Sequence, residues 1–193
     1  HHLLSGLLPW LAITEGVSRG ANALVTNQRF LSKQAFPVEV LPLSAIVISL
    51  FPQLIGMVLL LALLAFAGGL TLTAVVSLPV LIAIQVFLVS GVALLLAVVA
   101  VHIRDVVQVL PVVLQFLFYT APIIYAKTLV PEGYRWLMLL NPVTGLIDAY
   151  HSFLLGLPVE SQSMLALAFW TILLGGGGLL LFRRLKPSVG DVL

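Results

Sequence analysis

Long apolar stretches separated by short polar breaks run along most of this sequence. Residues 40–103 contain no Asp, Glu, Lys or Arg. As a helix, at about 1.5 Å per residue, such a run crosses a hydrocarbon core of about 30 Å more than twice. The pattern predicts an all-α, polytopic membrane protein with about five spans, near residues 3–25, 43–67, 74–101, 106–125 and 161–182.

Two intervals fall outside these spans. Residues 26–42 are polar and are broken by Pro37 and Pro42, which predicts a short surface helix and a bent entry into the next span. Residues 126–160 are too apolar for a solvated loop, yet Pro131 and Asn141-Pro142 divide them into pieces too short to span. Re-entrant or interfacial half-helices are the expected structure there.

Composition narrows the function classes. The chain is 61% hydrophobic and 8% charged, whereas soluble domains have about a quarter charged residues. It has no cysteine, no phosphate-binding G-x-x-x-x-G-K-[ST] loop and no H-E-x-x-H motif. We therefore predict no catalytic, metal-binding or cofactor-binding residues, and the scattered basic residues do not indicate a nucleic-acid partner.

Basic residues predict the orientation. With five spans, seven of the nine Lys and Arg residues share one side, which the positive-inside rule makes cytoplasmic. The C-terminus is then cytoplasmic, and an intact protein that starts in the cytoplasm would need one further span upstream. Glu15 and Arg19, inside the first stretch, have the i, i+4 spacing of an intrahelical ion pair.

Three further features have competing interpretations. Gly16-Val17-Ser18-Arg19-Gly20 matches the G-x-S-x-G motif of serine hydrolases, but small residues in an apolar helix also indicate close helix packing. Asp148 and His151 are spaced i, i+3, which suggests an interfacial pair, with a proton relay as the alternative. The aromatic residues Phe116, Phe118, Tyr119 and Tyr125 line a transport pathway, or they face lipid or the protein core.

Several short stretches, in this order, resemble the permease subunit of ATP-binding-cassette polysaccharide exporters, the type 2 exporter family that moves O-antigen, capsule-like glycans and teichoic acids. They are Leu7-Leu8-Pro9-Trp10 with Glu15, Ser18-Arg19 and Asn22; Phe36-Pro37 with Glu39 and Leu41-Pro42; Arg104-Asp105-Val106; Pro131 with Tyr134-Arg135-Trp136; Leu140-Asn141-Pro142 through Tyr150; and Leu185-Lys186-Pro187 with Asp191-Val192-Leu193.

The resemblance implies that residues 1–193 are one permease domain, lacking a first span, of a six-span protein in the cytoplasmic membrane of a bacterium. It implies a homodimer with a central channel, two cytoplasmic ATPase subunits that bind the ATP, and a lipid-linked glycan as substrate. It also implies an ATPase-coupling segment and a gate on the outer side. The coupling residues would be Arg29, Lys33, Phe36, Pro37 and Glu39, and the gate residues Pro131, Tyr134, Arg135, Asn141 and Pro142.

These observations predict a membrane-spanning exporter subunit that is not itself an enzyme. Scarce charge and bulky aromatics in the spans suit a neutral, hydroxyl-rich chain. Two alternatives from other classes remain: a membrane-embedded hydrolase that uses Ser18, and an ion-coupled carrier. The near absence of ionisable residues within the spans disfavours the carrier.

Overall fold

The computed structural model describes residues 1–27 and 37–192, and all regular structure in these ranges is helical. The predicted all-α class is therefore confirmed. Short 3₁₀ turns cover Lys127–Leu129 and Glu132–Tyr134, and a π-helical segment covers Thr171–Gly176. The α-helices are α1 (His2–Thr26), α2 (Val40–Phe66), α3 (Leu72–His102), α4 (Asp105–Thr120), α5 (Arg135–Met138), α6 (Thr144–Leu155), α7 (Ser161–Trp170) and α8 (Gly177–Val192).

Three helical stretches within the described residues are long and apolar enough to cross a membrane. They are α2, α3 and the continuous run Ser161–Pro187, which contains α7, the π segment and the start of α8. Helix α1 has 25 residues but contains Pro9, Glu15 and Arg19, which lower its hydropathy. Helix α4 has 16 residues and is apolar but short. The chain is thus a multi-pass membrane protein.

Helix α4 ends earlier than the sequence predicted. The predicted span continued to residue 125, but the helix stops at Thr120, and Ala121 is extended with φ −87° and ψ 146°. Pro122 explains the stop, because a proline ring disfavours helical geometry in the residue before it. At about 1.5 Å per residue, α4 is about 24 Å long, less than the full hydrocarbon thickness.

Helix α1 lies against α2 and α3 and contributes small residues to the contact. A Cβ added to Gly20 would lie 2.7 Å from the Cβ of Ala93, and one added to Gly16 would lie 3.3 Å from Val89 Cγ1. Close approach of helix backbones at small residues is the usual way that membrane helices gain packing energy. The glycines at 16 and 20 therefore serve packing.

A second close crossing joins α3 to the π segment. A Cβ on Gly91 would meet the carbonyl oxygens of Leu174 and Gly175, and one on Gly178 would meet the Gly91 carbonyl. No side chain fits between these backbones. The run of four glycines at 175–178 thus places its first and last members in contact with α3, whereas Gly176 and Gly177 face open space.

Residues 126–160 form short helical pieces. Helix α5 has 4 residues and α6 has 12, or about 18 Å at 1.5 Å per residue, too short to cross a bilayer. Helix α6 is nevertheless among the most buried elements, with Leu146, Ile147 and Tyr150 fully enclosed. It packs against α1, α3 and α7.

Candidate functional site

A groove of about 440 Å³ runs between α1 and α4 and combines aromatic with neutral polar side chains. The rings of Trp10 and Phe118 pack in a tilted arrangement, with ring centroids 5.5 Å apart. Thr14 and Ser18 line the α1 wall, and Tyr119 lines the α4 wall together with Gln115. The groove therefore offers aromatic faces and uncharged hydrogen-bonding groups within a largely apolar chain.

The predicted pathway residues occupy different positions relative to this groove. Tyr119 lines it, and Phe116 is exposed on α4 but is not part of the lining. Tyr125 lies beyond the end of α4 and donates a hydrogen bond from its hydroxyl to the Tyr119 carbonyl at 3.2 Å. Phe118, also predicted, lines the groove, whereas the prediction omitted Trp10, although it is a bulky aromatic in a predicted span.

The structure brings Glu15 and Arg19 together. Arg19 Nη2 lies 2.7 Å from Glu15 Oε1, one helical turn apart, and the arginine side chain is exposed. Their neighbours Thr14 and Ser18 face the groove. The pair therefore lies beside the groove and neutralises itself locally.

The serine of the G-x-S-x-G motif lies within continuous helix. Residues 16–20 belong to α1, whereas a nucleophile elbow requires a sharp turn between a strand and a helix. The motif glycines pack on α2 and α3, as described above. The geometry at Ser18 gives no support to the hydrolase interpretation.

Most of the predicted coupling segment, including Arg29, Lys33 and Phe36, lies outside the described residues. Glu39 immediately precedes α2, and its carboxylate accepts a hydrogen bond from Lys186 Nζ of α8 at 2.7 Å. That hydrogen bond, with the lysine charge, lowers the pKa of Glu39. The structure thus ties the start of α2 to the C-terminal helix. Lys186 was recognised as part of the L-K-P tail but not as this partner.

The predicted gate residues separate into two groups. Pro131 and Tyr134 lie at the short turns before α5, and Arg135 is the first residue of α5. The Arg135 Nε donates to the Val130 carbonyl at 3.0 Å. Asn141 instead reaches the end of α4, donating to the Leu117 carbonyl at 2.7 Å and to Thr120 at 2.8 Å. Pro142, the next residue, lines an apolar cavity between α1, α3 and α4.

A polar cluster that the sequence did not predict holds this region together. Lys127 Nζ lies 3.0 Å from Asp148 Oδ2 and 2.8 Å from Ser163 Oγ, and it also binds Glu160. Burial lowers the pKa of Lys127, but the hydrogen bond to Glu160 and the charge of Asp148 outweigh it and raise the pKa overall. The hydrogen bond that Glu160 accepts from Lys127 lowers the pKa of Glu160.

The cluster also corrects the predicted Asp148–His151 pair. Asp148 binds Lys127 and accepts from Ser163 Oγ at 2.6 Å, whereas the His151 ring stacks on His2 with centroids 3.9 Å apart. Both residues are on α6 at the predicted spacing, yet each contacts a residue of another element. The interfacial-pair interpretation is therefore wrong, because tertiary contacts replaced the local one.

A second unpredicted cluster lies deep among α2, α3 and α6. The side-chain amides of Gln53 and Gln85 bond to each other in both directions, at 3.0 and 2.7 Å. The Tyr150 hydroxyl donates to Gln85 Oε1 at 2.7 Å and accepts from Gln53 Nε2 at 3.1 Å. All three side chains are almost completely buried. The signal in the sequence was an isolated amide within each uncharged run.

Comparison with known proteins agrees with this architecture. Residues 3–155 match the family model described as "ABC-2 type transporter". The chain belongs to that family. The O-antigen export system permease protein RfbA of Klebsiella pneumoniae is 25% identical over 193 residues, which cover 99% of this chain and 74% of the relative. RfbA of Myxococcus xanthus is 32% identical over 173 residues, covering 88% and 66%.

Family membership makes this chain a membrane permease subunit. The family implies that this chain has an ABC ATPase subunit as its partner. It also suggests that this chain is the membrane subunit of the transporter and not the catalytic one.

Proposed function

We propose that this chain is the permease of an ATP-driven exporter that moves a lipid-linked polysaccharide across the cytoplasmic membrane of a bacterium. The observation that carries the proposal is the groove between α1 and α4, where aromatic faces and neutral polar groups meet within an apolar chain. Sugar rings present both C–H faces and hydroxyls, and this combination of side chains can contact both. The relatives named O-antigen export permeases support a glycan as substrate.

Two copies of the permease would form the channel, with the groove of each copy facing its interior. Only Leu110 and Leu114 of α4 are buried in the single chain, so most of this helix is available for contact with a second copy or with substrate. The exposed side chains of α4 include Phe116 and Tyr119.

The energy would come from cytoplasmic ATPase subunits that bind the ATP, and this chain would hold no cofactor. The conformational change of the ATPase subunits would act on residues 29–41. These residues would lie on the same side of the membrane as the C-terminus. The Glu39–Lys186 bond supports this arrangement, since a displacement at the start of α2 would be transmitted to α8 as well. The short helices within residues 126–160 would form the gate on the opposite side.

Alanine at Tyr119 tests the pathway. In cells that carry the full-length permease and its ATPase, we expect Tyr119→Ala to reduce surface glycan, because it removes an aromatic face from the groove. A lost stacking contact of about 1 kcal/mol corresponds to an export rate about fivefold lower. Tyr125→Ala should have a smaller effect, since Tyr125 contacts only the Tyr119 carbonyl among the described hydrogen bonds.

Phe51→Ala is the matched control. Phe51 is an aromatic on α2 that is 64% exposed, close to the 60% of Tyr119, and it does not line the groove. Equal export by the Tyr119 and Phe51 variants, at equal membrane levels, would contradict the assignment of the groove as the pathway.

A further inference from the structure

A further pocket, of about 340 Å³, lies in the short-helix region. It is enclosed by the turns that carry Lys127 and Glu132, by α5 and by the start of α7. Its volume falls in the range of about 300–1,000 Å³ typical of small-molecule sites. The chemically informative lining residues are Lys127, Glu132, Arg135, Trp136, Glu160 and Gln162.

The charged side chains that line this pocket are balanced, since Lys127 and Arg135 are matched by Glu132 and Glu160. Lys127 is held by Glu160 and Asp148, and Arg135 Nη1 lies 3.6 Å from Glu132 Oε1. An anion such as a phosphate would have to displace these carboxylates, and a metal cation would face the ammonium and guanidinium groups. The pocket therefore favours a ligand without net charge.

Hydrogen-bonding groups remain available to such a ligand. The Gln162 side chain is exposed and makes no hydrogen bond to any other residue that the structure describes. The Glu132 side chain is 89% exposed and has one long contact, to Arg135. An amide and a carboxylate together supply donors and acceptors for hydroxyl groups, and charged acceptors make the stronger bonds.

Trp136 adds an apolar wall. It lines the pocket and is 59% exposed, so part of its side chain is accessible to an incoming ligand. A large aromatic face next to charged and amide groups suits a molecule with one C–H face and a rim of hydroxyls. A sugar ring has this surface, whereas an acyl chain lacks the hydroxyls.

We propose that this pocket binds a neutral sugar unit of the exported glycan on the outer side of the permease. The inference rests on the proposed function and adds a subsite distinct from the groove between α1 and α4. Lys127 and Glu160 both line the pocket, and their bonds help to join α6 to α7. A sugar bound in the pocket would therefore touch the groups that hold α6 in place.

The test measures saccharide binding without transport. The full-length permease with its ATPase is placed in lipid nanodiscs without ATP, and saturation-transfer NMR records contact with mannotetraose or galactotetraose, two neutral probes. We expect at least one of them to bind, and Trp136→Ala to weaken that binding about tenfold, as expected when a stacking aromatic is removed. Trp136→Phe should retain part of it, and Gln162→Ala should weaken it with little effect on folding.

Two controls define the outcome. Phe169→Ala removes an exposed aromatic of α7 that does not line the pocket, and it should bind the probe like the parent protein. Inorganic phosphate and sialyllactose should not compete. Equal binding by the parent and both Trp136 variants, or tighter binding of the anionic probes, would overturn the subsite. Either result would leave the Tyr119 export test untouched, so the two failures can be told apart.

Discussion

Replacing Gln85 with leucine would remove three of the four hydrogen bonds that join Gln53, Gln85 and Tyr150. These bonds connect three helices at almost fully buried positions, where no water can substitute. Hydrogen bonds between membrane helices contribute on average about 0.6 kcal/mol each, so three give about 2 kcal/mol. A polar group left unpaired in the core adds about 1–3 kcal/mol to the loss.

Tyr150→Phe provides the internal comparison. It removes two of the bonds and leaves the reciprocal amide pair of Gln53 and Gln85 intact. The expected loss is about 1 kcal/mol, about two thirds of that of Gln85→Leu before unpaired groups are counted. The predicted order of stability is therefore parent, then Tyr150→Phe, then Gln85→Leu.

The triple variant Gln53→Leu/Gln85→Leu/Tyr150→Phe is the sharper test. It removes every polar side-chain group of the cluster, and apolar replacements of similar shape can be nearly neutral when no partner is left unpaired. We expect it to recover part of the stability lost in Gln85→Leu. Gln108→Leu, at an exposed position on α4, controls for the change in residue type.

The assay is unfolding of the full-length permease in mixed micelles by increasing SDS, followed by circular dichroism. The reasoning would be refuted if Tyr150→Phe were less stable than Gln85→Leu, or if the triple variant were less stable than the single one. Either result would mean that packing volume, and not hydrogen bonding, determines the stability of this site.

Two other predictions concern the close crossing at Gly91 and the hydrogen bond between Glu39 and Lys186. Gly91→Ala should lower the free energy of unfolding by about 1–3 kcal/mol, because the new methyl group meets backbone carbonyls of the π segment. Gly177→Ala is the control, because Gly177 faces open space. Equal stability of the two variants would contradict the close crossing. The Glu39–Lys186 bond should persist at neutral pH and weaken as the pH falls below the ordinary carboxyl value of 4.5, since the pKa of Glu39 is lowered. Hydrogen exchange at the start of α2 should report this loosening, and Glu39→Gln should abolish its dependence on pH.

The helical spans were predictable because hydropathy is a local property. Uncharged runs of sufficient length indicate membrane helices whatever their neighbours are, and α2 and α3 occur where the pattern placed them. The end of α4 also has a local cause, which is Pro122. The residues beyond Thr120 are apolar, however, so the hydropathy pattern did not show where the helix ends.

The polar clusters were harder to predict because their members are distant in sequence. Lys127 is 21 residues from Asp148 and 33 from Glu160, so no short spacing reveals the contact. Gln53 and Gln85 each had a visible signal, an amide in an apolar helix, but their mutual pairing depends on the register of α2 against α3. The Asp148–His151 prediction failed for the same reason, since spacing shows which groups can meet and not which partner is preferred.

The π segment at Thr171–Gly176 changes how the last membrane helix must be mapped. On its N-terminal side Ser163 and Leu167 are buried, and on its C-terminal side Gly178 and Phe182 are buried. On an ideal helical wheel, at about 100° per residue, the second pair is rotated by about 60° from the first, and the wider π turn changes this offset. A cysteine-accessibility scan through this helix should therefore show two regular patterns whose relative phase differs from that of an uninterrupted α-helix. An accessibility map drawn with a single periodicity would misplace the edge of the lipid-facing stripe on one side of the π segment.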